Sequence, residues 1–358
     1  MSSIPFIPCC RPLLVGSFPH DRHETAVELI LAHTPEYPVW PQLPVHAREG
    51  MMVQYIQGLP GLTLADEKVR VDVTQPDYDQ AQLAFFETLL AEDPQAFAQD
   101  ATDVAGLFAL EAALKAGSSA PLAVKGQITG PFTQGVAVKD MEGKAVYFDP
   151  GQREAVVGLL AARAAWQVRY LKDALDLPVI LFIDEPGLAG FGSSAFIGVG
   201  RDEVVESLST VIQAVHRNGA IAGIHVCGNT DWGLVMDSGA DMINFDASGY
   251  FDRLLLYGEE LKAFVGRGGC LAWGMVPTAN ADEVAAAEVD GMAAAFESHL
   301  AALEKLGLDR AQLLAQSVIT PACGLGSRTR DEAVRVMELT RDLSARIRAG
   351  LPAELKGL

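Results

Sequence analysis

The chain has 358 residues, 49% of them apolar, which supports a large core: two average domains or one α/β barrel with insertions. Its 27 Lys and Arg against 46 Asp and Glu leave a net charge of −19, which argues against a nucleic-acid or anionic-membrane surface and for small molecules or other proteins as partners. No apolar run reaches the roughly 20 residues of a membrane span, and the N-terminus lacks a basic-then-apolar signal, so a cytoplasmic protein is expected.

Pro12-Leu-Leu-Val-Gly16-Ser17 reads as a strand ending in a Gly-Ser turn, followed by a helix from about Asp21 to Ala32. Val39-Trp-Pro-Gln42-Leu-Pro is a short second strand made irregular by Pro38, Pro41 and Pro44. From about Arg48 to Lys115 the pattern is connection and helix. Apolar residues fall at helical spacing over Tyr78–Leu90 and Pro94–Ala116, before a Gly117-Ser118-Ser119 stop. That is too long for one crossover and reads as an insertion over one end of a barrel. Leu122–Thr129 is the third strand, and Asp149-Pro150-Gly151 opens a helix reaching Leu175.

Beyond Pro178 the alternation becomes regular. Strands over Val179–Asp184, Ile221–Cys227, Met242–Asp246, Cys270–Val276 and Ala315–Thr320 are each followed by a helix, near Asp202–Asn218, Trp232–Ser238 and Phe251–Val265, then Ala281–Leu306 and Asp331–Ala349. Eight mostly apolar, β-branched strands alternating with helices predict a parallel sheet covered by helices and closed on itself. The expected fold is a single (β/α)8 TIM barrel over residues 1–358, with an insertion in its N-terminal half. Ser17, Asp184, His225, Cys227, Asp246 and Cys323 then lie at or just beyond the C-terminal ends of strands, the face on which such barrels build active sites.

His225 and Cys227 stand two apart on a strand and so point to one side of it. Each alone is weak evidence, since a histidine at a strand end is usually a hydrogen-bonded structural residue. A barrel would bring Cys323 to the same mouth, and one histidine with two cysteines matches a catalytic Zn2+ site with an open fourth position. Asp246 is either a fourth ligand, or a carboxylate that caps the following helix or orients a ligating histidine. Cys270, at the start of its strand, belongs to the core at the opposite end; Cys9 and Cys10 carry no signal. The five cysteines are too scattered for a disulfide framework. A thiolate-rich open zinc suits lowering the pKa of an incoming thiol, and the alternative is activating water. Asp184 is either a partner for a substrate ammonium or the start of a capping turn.

In this order, Val15-Gly16-Ser17-Phe-Pro, Ile183-Asp184-Glu185-Pro, His225-x-Cys227, Asp241-Met-Ile-Asn-Phe-Asp246 and Pro321-Ala-Cys323-Gly-Leu resemble the catalytic domain of cobalamin-independent methionine synthase. That family belongs to a superfamily with uroporphyrinogen decarboxylase and the methylcobamide:coenzyme M methyltransferases. The resemblance implies His225, Cys227 and Cys323 as zinc ligands, with Asp246 where the synthase has a glutamate ligand. It places Gly16 and Ser17 near the carboxylate of homocysteine and Asp184 near its amino group. The family's second substrate glutamate aligns with His46 or Glu49. The family's proton-donating histidine, which serves a folate leaving group, should fall near Ala272-Trp273-Gly274, where none is present. Full-length synthases carry an additional N-terminal barrel and use a polyglutamylated folate, whereas one barrel is expected over residues 1–358. Trp273-Gly-Met-Val-Pro and Pro41-Gln-Leu-Pro are similar to the decarboxylase and corrinoid-methyltransferase side of the superfamily, and Co(I) leaves a methyl group without protonation. The resemblance therefore implies transfer of a methyl from a methylcorrinoid or methylated corrinoid protein to a small thiol, homocysteine above others. Folate transfer, a decarboxylase-like protein and a non-catalytic zinc or thiol binder are the alternatives.

Overall fold

The computed structural model describes residues 4, 6–65, 68–117 and 119–356; Ser118, part of the expected helix stop, lies outside them. Among the described residues, ten strands form in chain order: β1 (Arg11–Pro12), β2 (Leu62–Ala65), β3 (Lys68–Val71), β4 (Val124–Thr129), β5 (Lys139–Asp140), β6 (Val179–Asp184), β7 (Ile221–Val226), β8 (Met242–Phe245), β9 (Cys270–Val276) and β10 (Ser317–Pro321). Seven of them make one sheet in the order β1-β10-β9-β8-β7-β6-β4, with every pair parallel.

The sheet curls, and the period of two decides what lies inside the curl. Leu13, Ile180, Phe182, Ile221, Met242, Cys270, Ala272 and Val318 form a small inner cluster, while Leu181, Ile183, Ile224, Phe245 and Ile319 join the larger core beneath the helices. Asp184 shares the inward parity of Ile180 and Phe182, His225 that of Ile221, and Asn244 that of Met242. Register then puts these three side by side, Asp184 opposite His225 and His225 opposite Asn244. Cys270 is buried in the inner cluster at the other end of its strand, as expected.

Between the edge strands β4 and β1 runs the proline-rich segment expected as a second strand. It forms no continuous ladder, because three prolines remove donors. Isolated bridges nevertheless tie Val39 to Lys125 and Gln42 to Ser17. The Trp40 N–H donates to Lys125 O at 3.2 Å, and the Gln42 N–H to Gly16 O at 2.9 Å.

The insertion differs from its expectation in carrying a sheet of its own. β2 and β3 pair antiparallel, and β5 joins β3 in parallel. The expected helix over Pro94–Ala116 is also interrupted. A 3-10 turn covers Pro94–Phe97, and the α-helix runs over Ala105–Ala116. The cause is local: Asp93 and Asp100 accept from the backbone N–H groups of Gln95 (3.0 Å) and Thr102 (2.8 Å), Asx turns that compete with helix. Two further expected helices are each split, into Ala247–Leu254 with Gly258–Gly266 and Ala281–Ala286 with Val289–Lys305. Among the described residues, no helix is long and apolar enough to cross a membrane, and all five cysteines are free.

Glu185, the second carboxylate after β6, is structural. Fully buried, it accepts from the Phe132 N–H (2.9 Å), the Thr133 N–H (2.8 Å) and the Thr133 hydroxyl (2.5 Å), capping the short helix Pro131–Ala137. A Cβ on Gly130 would stand 2.2 Å from its carboxyl carbon, so glycine is required there. Burial pushes the Glu185 carboxyl up to about 7, against the pull of the Thr133 and Phe132 donors. A folded value above the ordinary 4.5 means that its contribution to stability is full below pH 4.5 and is lost as pH rises through 7. Glu185→Gln, which turns an amide donor toward these donors, should lower the urea-unfolding free energy at pH 5 by about 1–3 kcal/mol. The gap from the unaltered protein should narrow as pH rises through 7.

Candidate metal centre

β7 delivers His225 and, just beyond its end, Cys227. β10 delivers Cys323 after a register shift at Thr320/Pro321, an irregularity that re-aims the chain as it leaves the sheet. The loop that follows is pinned to the first βα turn. The Leu325 N–H donates to Ser17 O at 2.8 Å and the Gly326 N–H to Ser17 Oγ at 3.2 Å. A Cβ on Gly324 would lie 2.2 Å from that hydroxyl, so only glycine allows the approach. One ligand atom each from His225, Cys227 and Cys323 then falls within 4.8 Å of the others.

Asn244 sets the imidazole. Its Nδ2 donates to Ala272 O and to Thr320 Oγ1, both at 2.8 Å, which fixes the amide so that Oδ1 faces His225 Nδ1 at 2.5 Å. Nδ1 therefore carries its hydrogen toward Asn244 and leaves Nε2 for the sulfurs. The Cys323 thiol and His225 both donate to Cys227, drawing its thiol down to about 4 despite burial. The same contact with Cys227, with burial, raises Cys323. Burial disfavours a charged His225, but the Cys227 hydrogen bond and the Asp184 carboxylate outweigh it and raise its pKa. The set is an imidazole nitrogen beside two sulfurs. It could hold a metal ion, and its chemistry and three-ligand count fit zinc with an open position.

The other predicted residues fall in different places. Asp246 is not among the converging groups: its Oδ1 accepts from the Gly249 N–H (2.9 Å) and the Ser248 hydroxyl (2.7 Å), capping the helix Ala247–Leu254. Asp184 is buried with Oδ1 unpartnered, and burial raises its pKa against the charges of His225 and Lys125. Gly16, at φ +147°, packs against Gln127, whose Oε1 is another buried acceptor without a partner. Glu49 is fully engaged, one oxygen against His23 Nε2 at 2.6 Å and the other accepting from the Leu43 N–H at 2.8 Å. Its alternative, His46, stacks on His23 and faces Asp21 O at 3.1 Å.

A cavity of about 900 Å³ opens beside the cysteines, lined by Cys227, Asp246, Cys323, Glu283, His299 and Arg328 among others. Among the described residues, its lining includes none of Gly16, Ser17, Glu49 and Asp184.

No protein-family model matches the chain, and no curated protein matches it. Solved structures do. A candidate vitamin-B12-independent methionine synthase from Listeria monocytogenes aligns at 14% identity and a TM-score of 0.52, covering 91% of this chain and 85% of that one. The 3-keto-D-glucoside 4-epimerase from E. coli aligns at 11% identity over 78% of this chain and 97% of that one. Its TM-score of 0.37 is too low to carry an argument. The first likeness shows the fold, and the fold alone.

Sequence reasoning missed Asn244, Lys125, His299 and Arg328. Asn244 was within reach: it is a polar residue of inward parity in an apolar strand, in register with His225. Lys125 is buried below the site, its ammonium donating to Val15 O and lying 4.9 Å over the Phe182 ring; burial lowers it to about 8. His299 and Arg328 reach the cavity from a helix and a loop whose spacing carries no signal.

Asn244→Ala should weaken zinc binding by roughly 10–100-fold in chelator competition while leaving the fold intact, because the imidazole loses its orienting partner. Asp246→Ala should lower stability by about 1 kcal/mol through loss of a cap. Its zinc stoichiometry should be unchanged.

Proposed function

We propose that this chain is a zinc-dependent methyltransferase that moves a methyl group onto a thiol, with homocysteine the acceptor and methionine the product. The observation that carries this reading is the convergence of His225, Cys227 and Cys323 within 4.8 Å at the C-terminal face of a parallel sheet. A zinc ion held there would lower the pKa of an incoming thiol, and sulfur ligands would keep the resulting thiolate nucleophilic. In this reading the bridges of residues 38–42 close the sheet as the second strand of a (β/α)8 barrel, and residues 1–358 form one methyltransferase domain.

The chain's own groups divide the work. Asp184 Oδ1, buried and unpartnered, suits the substrate ammonium, with Gln127 Oε1 a second acceptor nearby in parity. Gly16 and Ser17 lie where the substrate carboxylate would rest, and Glu49 acts through the 43–49 loop that it holds. Asp246 keeps its helix cap and leaves the fourth metal position to the thiol. The proposed methyl donor is a methylcorrinoid, free or on a corrinoid protein, whose Co(I) leaves without a proton.

A specific observation favours a second reading, in which the donor is a folate. The proton donor missing near Trp273 in sequence has a spatial substitute: His299 lies parallel to the Trp273 ring at 11°, with centroids 6.3 Å apart, and lines the cavity. Burial lowers its pKa, so it is largely neutral at pH 7 and would have to draw its proton as the substrate binds.

Metal analysis should find about one zinc per chain. Homocysteine methylation, assayed with methylcobalamin, a methylated corrinoid protein and methyltetrahydrofolate in turn, should proceed with a corrinoid donor. Activity with folate alone would overturn that choice, and His299→Gln should then cost about 10²–10⁴-fold in kcat. Cys323→Ala should lose more activity than the roughly 10–100-fold typical of groups around a ligand. Its circular dichroism should be unchanged.

A further inference from the structure

Among the described residues, the cavity beside the cysteines contains a cation with no ion-pair partner. Arg328 lies in the loop that begins at Cys323, and its Nε is buried with no hydrogen-bond partner. Its neighbour Arg330 pairs with Asp21 at 2.9 Å, but among the described residues no carboxylate pairs with Arg328. Asp246 and Glu283 line the same cavity, yet Asp246 is committed to its helix cap and Glu283 is exposed. A buried N–H left unsatisfied is uncompensated until a ligand supplies an acceptor. The planar fork of a guanidinium matches carboxylate and phosphate oxygens.

Two further features say what kind of ligand. The cavity, about 900 Å³, falls within the roughly 300–1,000 Å³ range that accommodates drug-sized molecules. An amino-acid thiol would leave most of it empty. One wall is the His299 ring stacked on Phe251, with centroids 3.9 Å apart and planes at 21°, and His299 Nδ1 is again buried without a partner. A flat wall and an unpaired guanidinium flank two sulfurs, and the residues assigned to the thiol lie outside the cavity.

We infer that Arg328 binds an oxyanion of the methyl donor, so that the donor approaches the cysteine pair from this cavity while the thiol approaches from the side of Gly16 and Asp184. The inference rests on the thiol-methylation reading. The shared chemistry is an anionic oxygen group, which a corrinoid carries as the phosphodiester of its nucleotide loop and a folate as its glutamate carboxylates.

The test compares two pairs of probes by equilibrium binding to the zinc-loaded protein. Methylcobalamin is set against methylcobinamide, which lacks the phosphodiester, and methyltetrahydrofolate against its glutamate diamide, in which both carboxylates are neutral. One pair should differ at least tenfold in Kd. The difference should shrink to within about twofold in Arg328→Gln, be largely retained in Arg328→Lys, and leave homocysteine affinity unchanged. No difference in either pair on the unaltered protein would overturn the inference without any variant, as would a difference that survives Arg328→Gln. A preference that depends on Arg328, in a protein that transfers no methyl group, would sink the proposed reaction and leave the anion site standing.

Discussion

The hydrogen bonds of Asn244 are the constraint on which the centre depends. One side-chain amide joins four strands: it sits on β8, donates to Ala272 of β9 and Thr320 of β10, and accepts from His225 of β7. The two donated bonds leave its oxygen a single direction, so the imidazole has one tautomer and one orientation. An apolar residue in its place would fill the space but leave a buried ring N–H unpaired. The same network ties the strand carrying His225 to the strand that leads into Cys323, and the relative placement of the ligands is therefore a property of the sheet.

Around this constraint the charges are arranged with little solvent to screen them. Asp184, His225, Cys227 and Cys323 influence one another directly, and Lys125 adds a positive charge beneath Asp184. The balance holds without a full complement of partners. Asp184 Oδ1 and Gln127 Oε1 remain unsatisfied in residues outside the lining of the cavity beside the cysteines, and His299 Nδ1 and Arg328 Nε in residues that line it.

Much of this was legible in the sequence, where period-two patterning and turn residues agree. After Pro178 every expected strand formed within about two residues; parity put His225 and Cys227 to one side of their strand, and position at the strand ends put Asp184 at the same end of the sheet. Legibility failed where local chemistry overrode pattern. Asp93 and Asp100 broke an apolar repeat that reads as one helix, and the hairpin of β2 and β3 found its third strand far away, at β5. For Asp246 the sequence left ligand and cap as alternatives. In the structure the N–H of Gly249 and the hydroxyl of Ser248 hold its Oδ1 in the cap, and Asp246 is not among the converging metal-ligating groups. His299 and Arg328 were invisible for another reason: their role depends on which groups they lack, and no spacing records an absence.

The contact between Ser17 and the Cys323 loop carries a consequence for assembly. It joins the first βα turn of the chain to the loop after its last strand, and the Ser17 backbone and hydroxyl hold the segment that carries the third ligand. During synthesis, His225 and Cys227 can be presented on a partly built sheet while Cys323 is still to come. The ligand set is complete only when the end of the chain docks against its beginning. A metal ion held by His225, Cys227 and Cys323 would therefore meet all three only once the fold has closed, and before that it would find two.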